Sequence, residues 1–339
     1  MTELVHLGAT NSLTDVEGIS VGHFERLDAP WRTGATVVVF DRPSVAAVEV
    51  RGGGPGTRET DVLAHGGANS GIDALAFAGS SAYGLDVAGG VMRAMQRDGR
   101  GLRVGPRDDD IVPIVPGAII FDLGRGGSSR ATADSSFGEA AYAATSLGAV
   151  PQGSVGAGVG AQCGGVAGGV GSASAISSSG AMVAALVVVN SFGSAFNPKS
   201  GLPWGVEFEL DGEFEDYLLR RDAKFSAPSR RPISTLNTVV GVVASNLALT
   251  SNECKRMAVV AHDGLARSVR PAHTFFDGDT FFAASTGRKD LLAAEGLERL
   301  LALSEVFELA SEAVARAIVH GIGQARAFDG VPAWCLPKT

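Results

Sequence analysis

The sequence predicts an α/β or α+β fold in which sheets and helices pack as layers. Runs of β-branched and other apolar residues alternate along the chain with stretches whose apolar residues recur at helical spacing. Of the 339 residues, 45% are hydrophobic and 19% are charged, and this composition is typical of a compact globular protein with a large core. The chain also has 46 glycines, and their clusters beside predicted strands indicate sharp turns or close backbone approach.

The first part of the chain is predicted to begin with a hairpin. Two strands, at residues 34–40 and 45–51, flank a turn at 41–44 that contains a proline. The next predicted elements are a strand at 73–79, a helix at 85–97, a strand at 114–122 and a helix at 137–147.

A glycine-rich loop at residues 51–60 follows the predicted hairpin. It lacks both the Gly-Lys-Ser/Thr ending of a P-loop and the Gly-x-Gly-x-x-Gly fingerprint, so the sequence does not favour a phosphate site. Its backbone amides suit an acyl or oxyanion site, and a purely structural loop is the other interpretation.

The second part of the chain opens with another glycine-rich stretch, at residues 151–171. Predicted strands at 173–177 and 182–190 precede a long irregular connection over 192–231. The remaining predicted elements are a strand at 236–244, a helix from Thr250 to about 266 with a capping box, a strand at 280–285 and a helix at 306–325 that begins near Ser304 or Glu305.

The strand at residues 236–244 carries the main functional hypothesis. Asn237 and Thr238 lie at its entrance, after a proline-rich segment at 226–234 that is typical of an exposed loop. An N-terminal threonine is a usable nucleophile because its own α-amine, with a pKa of about 7.7–8.0, accepts the hydroxyl proton. The chain is therefore predicted to cut itself between Asn237 and Thr238. The alternative is an ordinary strand entry, since Asn favours turns and Thr favours strands.

Other polar residues lie at the ends of predicted strands. Asp277 and Asp279 precede the strand at residues 280–285, and Asn190 ends the strand at 182–190. An asparagine there is either a turn former or a donor to an oxyanion. Structural roles are predicted for His262 and His273, because the six histidines show no metal-ligand spacing.

Composition excludes several classes of function. The net charge of −8 and the pI near 5.3 disfavour nucleic-acid and anionic-membrane binding. No apolar run reaches membrane-spanning length, no secretory signal is evident, and the three cysteines are widely spaced, so a cytoplasmic location is expected. The acidic run at residues 108–110 is predicted to be a solvated turn, and Cys163 a buried filler of a glycine-rich loop.

Six motifs lie at residues 45–59, 79–86, 153–158, 188–190, 236–238 and 277–280. Through these motifs and their order, the chain resembles the DmpA-type P1 family of self-processing hydrolases, also called peptidase family S58. That family includes L-aminopeptidase/D-esterases, β-peptidyl aminopeptidases and nylon-oligomer hydrolases, and the resemblance extends over nearly the whole chain.

The resemblance implies a single Ntn-hydrolase-like domain over residues 1–339, built as a four-layer αββα sandwich. It also implies cleavage into two associated pieces, 1–237 and 238–339, and a homo-oligomer, expected to be a tetramer. By similarity, Thr238 is the nucleophile of both self-cleavage and catalysis and Asn190 stabilises the oxyanion. Asp277 and Asp279 match the acidic pair of the nylon-hydrolase branch, and Tyr83 is a candidate for the substrate pocket.

The chain departs from the family pattern at three places. The lysine of the nylon-hydrolase branch corresponds to a position near Gly165, where this chain has none. The aminopeptidase branch has a tyrosine and an acid near residues 131–135, where this chain has only Asp134, which is the second candidate for the substrate pocket. A serine nucleophile is usual in the aminopeptidase branch, so a threonine at position 238 matches the nylon-hydrolase branch instead.

These residues predict an amidohydrolase that forms an acyl-enzyme on Thr238 and needs no cofactor. Its expected substrates are small amides, peptides or ω-amino-acid oligomers. Two alternatives remain: acyl transfer to an amine, as in ornithine acetyltransferases, and a non-catalytic scaffold with an intact bond between Asn237 and Thr238.

Overall fold

The computed structural model describes residues 5–64, 71–221, 225, 236–291 and 295–336. Within these residues the α-helices are α1 (Val87–Arg97), α2 (Ser135–Ala143), α3 (Glu215–Arg220), α4 (Ser251–Ser268) and α5 (Gly296–Gly323). The strands are β1 (Ile19–Arg26), β2 (Thr33–Val50), β3 (Thr57–Arg58), β4 (Gly71–Ala78), β5 (Leu102–Arg103), β6 (Ile111–Val112), β7 (Gly117–Ile119), β8 (Gln162–Cys163), β9 (Val166–Ala167), β10 (Gly169–Ile176), β11 (Met182–Val189), β12 (Val240–Leu247) and β13 (Thr280–Lys289).

The main sheet has the strand order β10-β11-β12-β13-β2-β4-β7-β3, with β1 paired to β2. Neighbouring strands are antiparallel except for the pairs β12 with β13 and β4 with β7, which are parallel. Strands β12 and β13 are joined through α4, as a parallel pair requires a crossover connection. Both strands come from the C-terminal part of the chain, and both are inserted between strands of the N-terminal part.

Alternation of side chains along these strands separates three cores. On β12, Val243 packs against the side of the sheet that α4 and α5 cover, whereas Val242 belongs to a core between the two halves of the sheet. That middle core brings Phe77 of β4 and Phe282 of β13 together, with ring centroids 6.0 Å apart. The third core lies between β2, β4 and the helices α1 and α2. Three cores between four layers confirm the αββα sandwich.

The predicted hairpin at residues 34–51 is wrong. Residues 33–50 form one strand, β2, whose first half pairs with β1 and β4 and whose second half pairs with β13. The register with β4 shifts between Val39 and Ser44. Residues 41–44, including Pro43, therefore mark the place where one strand passes from one layer of the sandwich to the other.

The ends of the long helices differ in how well the sequence predicts them. At α4 the capping box is confirmed: Thr250 accepts the Glu253 N–H, and the Glu253 carboxylate accepts the Thr250 N–H. By contrast, α5 begins at Gly296, ten residues before the predicted start. Ser304 lies inside it and donates its hydroxyl to the Leu300 carbonyl one turn earlier. In the part of the chain described, no helix is long and apolar enough to cross a membrane.

Candidate active site

The ends of four strands meet at one edge of the sheet and position the site. In the registers of the sheet, Val188 of β11 faces Val240 of β12, which faces Thr280 of β13, which faces Val50 of β2. Asn190 follows β11, Thr238 precedes β12, Asp277 and Asp279 precede β13, and the glycine-rich loop follows β2. The structure thus brings together four site residues that lie as far as 89 positions apart in the sequence.

The peptide bond between Asn237 and Thr238 is held on both sides. Thr238 is 3% exposed, and its N–H donates to the Asn190 carbonyl at 2.7 Å. Its Oγ1 donates to the carbonyl oxygen of Asn237, and the same oxygen accepts the Gly278 N–H at 3.2 Å. The hydroxyl therefore lies against the peptide group that it is predicted to attack, and a backbone N–H polarises that carbonyl.

Gly278 leaves room for this arrangement. A Cβ atom at this position would lie 2.8 Å from Thr238 Oγ1 and 2.7 Å from the Gly54 carbonyl oxygen. Both distances are shorter than ordinary carbon–oxygen contacts, so only glycine fits between Thr238 and the loop after β2. The amides of Gly52 and Gly54 donate to the carbonyls of Asp279 and Asp277. In the uncut chain these two amides therefore hold the glycine-rich loop against the residues that precede β13.

Asp277 ties three segments together at the site. Its Oδ1 accepts the Phe192 N–H at 3.0 Å, and its Oδ2 accepts the Thr274 N–H at 3.1 Å and the Thr274 hydroxyl at 2.5 Å. Burial raises the pKa of the Asp277 carboxyl above its ordinary value, and the charge of nearby Asp279 raises it further. The two carboxyl groups are therefore electrostatically coupled.

Asp279 holds Val239, the residue after Thr238. Its Oδ1 accepts the Val239 N–H at 2.9 Å, and its Oδ2 accepts both the N–H and the Nδ1–H of His273, at 3.0 and 2.9 Å. The His273 ring meets the His262 ring edge-on, with centroids 4.9 Å apart. Burial lowers the pKa of His262 to about 4, so this ring is neutral at pH 7. The sequence predicted only a structural role for His273, yet its side chain contacts a predicted catalytic carboxylate.

Asn190 is fixed by donors on one side and an acceptor on the other. Its Oδ1 accepts from Arg125 Nη1 at 2.5 Å and from the Gln162 N–H at 3.0 Å, and its Nδ2 donates to the Phe121 carbonyl at 3.2 Å. Because both neighbours of Oδ1 can only donate, the orientation of the amide is determined. Among the residues that the structure describes, the second N–H of this amide has no acceptor. Its proposed use by an oxyanion stays a prediction.

Arg125 is the residue of this site that the sequence did not reveal. It is 8% exposed, and its Nη2 donates to the Leu236 carbonyl at 2.8 Å and to Asn237 Oδ1 at 3.1 Å. Burial lowers the pKa of the guanidinium to about 10, against the attraction of Asp122, so it is charged at pH 7. The available signal was an arginine between glycines after a predicted strand, in the run Gly-Arg-Gly-Gly at residues 124–127.

The position matched to the family's lysine is a tight turn. Gly164 and Gly165 connect β8 to β9 with φ values of 59° and 97°, a conformation that favours glycine. Cys163, just before the turn, is buried, and burial raises the pKa of its thiol to about 11. An uncharged thiol of this kind is a poor nucleophile, in agreement with the predicted role as a filler.

Two predicted substrate residues lie on neighbouring loops. Tyr83 is 66% exposed in a 3-10 helix, Ser81–Asp86. Asp134 caps α2, where its carboxylate accepts the N–H and the hydroxyl of Ser136. No contact recorded for the described residues joins either one to Thr238, and their roles stay predictions. The proline-rich segment at 226–234 lies outside the described residues.

The acidic run at residues 108–110 is a surface turn, as predicted. Arg107 donates to Asp110, and Arg103 donates to Asp108. Throughout residues 5–64, 71–221, 225, 236–291 and 295–336, no group of three or more His, Cys, Asp or Glu side chains has the arrangement of a metal site.

The chain belongs to peptidase family S58, whose model matches residues 11–333. A Mycobacterium tuberculosis protein described as an uncharacterized aminopeptidase is 44% identical, over 96% of this chain and 97% of its own length. A 6-aminohexanoate-oligomer endohydrolase from Kocuria sp. is 29% identical, over 84% of this chain and 78% of its own length.

Solved structures have the same fold. A β-aminopeptidase from Burkholderia sp. matches with a TM-score of 0.69 and 25% identity, over 94% of this chain and 88% of that one. An L-aminopeptidase D-Ala-esterase/amidase from Ochrobactrum anthropi, described as a variant of the Ntn hydrolase fold, matches with a TM-score of 0.70 and 20% identity, over 98% of this chain and 90% of that one. The protein is therefore an amide or peptide hydrolase with an Ntn-hydrolase-type sandwich.

Proposed function

We propose that the protein is a self-processing amidohydrolase whose nucleophile is Thr238. Thr238 Oγ1 attacks the carbonyl carbon of Asn237, the C–N bond between the two residues breaks, and an ester forms while the nitrogen of Thr238 becomes a free amine. Water then hydrolyses the ester, and Asn237 leaves with a new carboxylate. The cut thus separates residues 1–237 from residues 238–339, which stay together as one folded unit.

The observation that carries this proposal is the contact of Thr238 with its own preceding peptide group. The hydroxyl already donates to the Asn237 carbonyl oxygen, and the Gly278 N–H donates to the same oxygen at 3.2 Å. Negative charge that develops on this oxygen during attack is stabilised by a donor that is in place beforehand. An ordinary strand entry has no need for this arrangement.

The same groups serve the mature enzyme. The Asn190 carbonyl, which accepts the Thr238 N–H at 2.7 Å, remains an acceptor for the new α-amine and orients its lone pair toward Oγ1. In each turnover this amine takes the hydroxyl proton, an acyl-enzyme forms on Thr238, and water releases the acid. Asp279 holds the Val239 N–H and thereby the start of β12, Asp277 holds the loop before it, and the free N–H of Asn190 serves the oxyanion.

The surroundings support small amides, peptides or ω-amino-acid oligomers as substrates. Phe275 is 91% exposed beside the site, and Phe276, whose carbonyl accepts the Asn237 N–H, packs against Phe192 with ring centroids 5.3 Å apart. An apolar rim of this kind suits the methylene groups of short acyl chains. The named activities of the relatives, aminopeptidase and 6-aminohexanoate-oligomer endohydrolase, both break amide bonds.

We also propose a cytoplasmic homo-oligomer, with a tetramer as the expected size. The three cysteines are free and buried, as is usual in a reducing compartment. At the start of α5, Leu297, Leu300 and Leu301 are exposed on successive turns, and a neighbouring subunit would cover them. Light scattering of the purified protein measures the size.

The test of the proposed function is the intact mass of the wild type beside Thr238→Ala and Thr238→Ser. The wild type is expected to give a fragment that begins at Thr238, Thr238→Ala to stay whole, and Thr238→Ser to be cut, since serine keeps the hydroxyl. The cut protein is then assayed on 6-aminohexanoate oligomers and on dipeptide amides. A wild-type chain that stays whole after prolonged incubation across pH, or a Thr238→Ala variant that is cut, contradicts the proposal.

A further inference from the structure

In the uncut chain, residues 236 and 237 form the acyl part of the first substrate that Thr238 attacks. In the proposed function, on which this inference rests, Thr238 attacks first the Asn237 carbonyl and later the carbonyl of a free substrate. Both reactions pass through an ester of the same atom, Thr238 Oγ1, so the acyl groups of the two esters are expected to occupy the same place. Residues 236 and 237 therefore fill the position that the acyl part of a substrate takes after the cut.

Three polar contacts define that position. Arg125 Nη2 donates to the Leu236 carbonyl at 2.8 Å and to Asn237 Oδ1 at 3.1 Å, while the Asn237 N–H donates to the Phe276 carbonyl at 2.9 Å. The acyl side of the site thus offers a cationic donor for two acceptors and one carbonyl for an N–H. The two acceptors are the carbonyl attached to the α-nitrogen and the side-chain oxygen on the γ-carbon.

Arg125 needs such acceptors. In the described part of the chain its hydrogen bonds go to three neutral oxygens, and its Nε is buried without a partner. Once residues 236 and 237 withdraw, two of the three acceptors are lost, and among the described residues the guanidinium keeps its hydrogen bond to Asn190 Oδ1 and the more distant charge of Asp122. A buried cation with unpaired donors is costly, so a ligand that restores the lost acceptors binds favourably.

The geometry points to Arg125 as a specificity residue that selects acyl groups with a blocked α-nitrogen, and best those with a side-chain oxygen on the γ-carbon, as in N-acylated asparaginyl or aspartyl amides. An N-acyl group supplies the carbonyl for Arg125 and an N–H for Phe276. A free α-amine supplies only N–H donors and brings a second positive charge close to the guanidinium. This site therefore favours cleavage inside a chain over removal of an N-terminal residue.

The test compares matched substrates of the cut wild type: N-acetyl-L-asparagine p-nitroanilide, L-asparagine p-nitroanilide and N-acetyl-L-alanine p-nitroanilide. The acetylated asparagine compound is expected to have a kcat/KM at least about tenfold higher than the free-amine compound, and higher than the alanine compound. A free-amine compound cleaved equally well or better overturns the inference while the proposed function stands.

Variants of Arg125 separate selectivity from a general loss. Because Arg125 also holds Asn190, kcat/KM is expected to fall in Arg125→Met for both the acetylated and the free-amine asparagine compound. The decisive quantity is therefore the ratio of the two kcat/KM values. This ratio is expected to drop by at least about tenfold in Arg125→Met and to be partly kept in Arg125→Lys. An unchanged ratio in Arg125→Met contradicts the role.

Calorimetric titration gives a readout that needs no turnover. N-acetyl-L-asparagine is expected to bind the cut wild type more tightly than L-asparagine by about tenfold, and neither is expected to bind uncut Thr238→Ala, where residues 236 and 237 fill the site. Equal binding of the two ligands, or binding to the uncut variant, overturns the inference. A wild type that stays whole overturns the proposed function, and this inference with it.

Discussion

Asp279 Oδ2 and His273 Nδ1 are 2.9 Å apart, and this bond joins the first and last residues of the turn 273–279 before β13. Because an ionised carboxylate can only accept, Nδ1 carries the proton and Nε2 is left as the second ring nitrogen. Nε2 is buried without a hydrogen-bond partner in the described part of the chain. His273 therefore orients Asp279, whose other oxygen accepts the N–H of Val239, the residue after Thr238.

From this bond we expect His273→Gln to slow self-cleavage by about tenfold without unfolding the protein. The glutamine amide keeps one donor near Asp279 but loses the fixed ring. The measurement is the cut fraction against time by intact mass, with His6→Gln, an exposed histidine far along the chain, as the control. A purely structural role predicts a lower melting temperature and an unchanged cleavage rate.

Gly278→Ala is expected to reduce self-cleavage by about a hundredfold or more. The added methyl group would lie 2.8 Å from Thr238 Oγ1, and a displacement of about 1 Å of a reacting group has this effect on rate. Gly148→Ala is the matched control, because a Cβ there meets only the Ser146 hydroxyl, at 3.4 Å. Normal cutting of Gly278→Ala would show that the space beside Oγ1 is not needed.

Acid is expected to destabilise the fold through Glu213. Burial alone would raise the pKa of this carboxyl, but hydrogen bonds from His320 and Arg316 lower it to about 2. Its folded pKa lies below its ordinary value of 4.5, so the stabilisation is present above pH 4.5 and is lost as the pH falls toward 2. The shift corresponds to about 3 kcal/mol.

Urea unfolding of the uncut Thr238→Ala variant at pH 7, 4.5 and 3 measures this loss. Adding Glu213→Gln is expected to flatten the dependence of unfolding free energy on pH and to lower stability at pH 7. Glu139→Gln, which removes a surface ion pair with Arg97, should change stability by less than about 1 kcal/mol. An equal pH slope with and without Glu213 would assign the acid effect to other carboxyl groups.

The two pieces of the cut protein are expected to migrate as one species. Strands β12 and β13 of residues 238–339 are inserted between β11 and β2 of residues 1–237, and Glu213 pairs with Arg316 across the two pieces. Size-exclusion chromatography followed by denaturing electrophoresis is expected to show both fragments in one peak. Separation of the fragments without denaturant would contradict this arrangement.

The sequence pattern was sufficient to locate polar residues at the ends of buried strands. Asn190, Thr238, Asp277 and Asp279 each adjoin a buried strand, and the parallel and antiparallel registers bring those strand ends together. Arg125 escaped notice because its partners, at positions 190, 236 and 237, meet it only in the folded chain. No periodicity or spacing encodes such a contact.

Errors in the predicted elements have similar causes. Proline and charged residues at 41–44 resemble a turn, but there the tertiary arrangement continues β2 into the second layer. The predicted strand at 114–122 is shorter in the structure. Only Gly117–Ile119 form ladder pairs with β4, at three positions. Such boundaries depend on which neighbours are available, and the local sequence does not specify them.

Because β12 and β13 are inserted between strands of residues 1–237, the proposed cut would be a thermodynamic change as well as a chemical one. Before it, the effective concentration of the two central strands is set by the covalent chain, and folding is unimolecular. Afterwards the same native contacts depend on the meeting of two polypeptides, so their equilibrium stability varies with protein concentration. A molecule that unfolds after maturation has lost the linkage that first built it, and its lifetime is then governed by its unfolding rate.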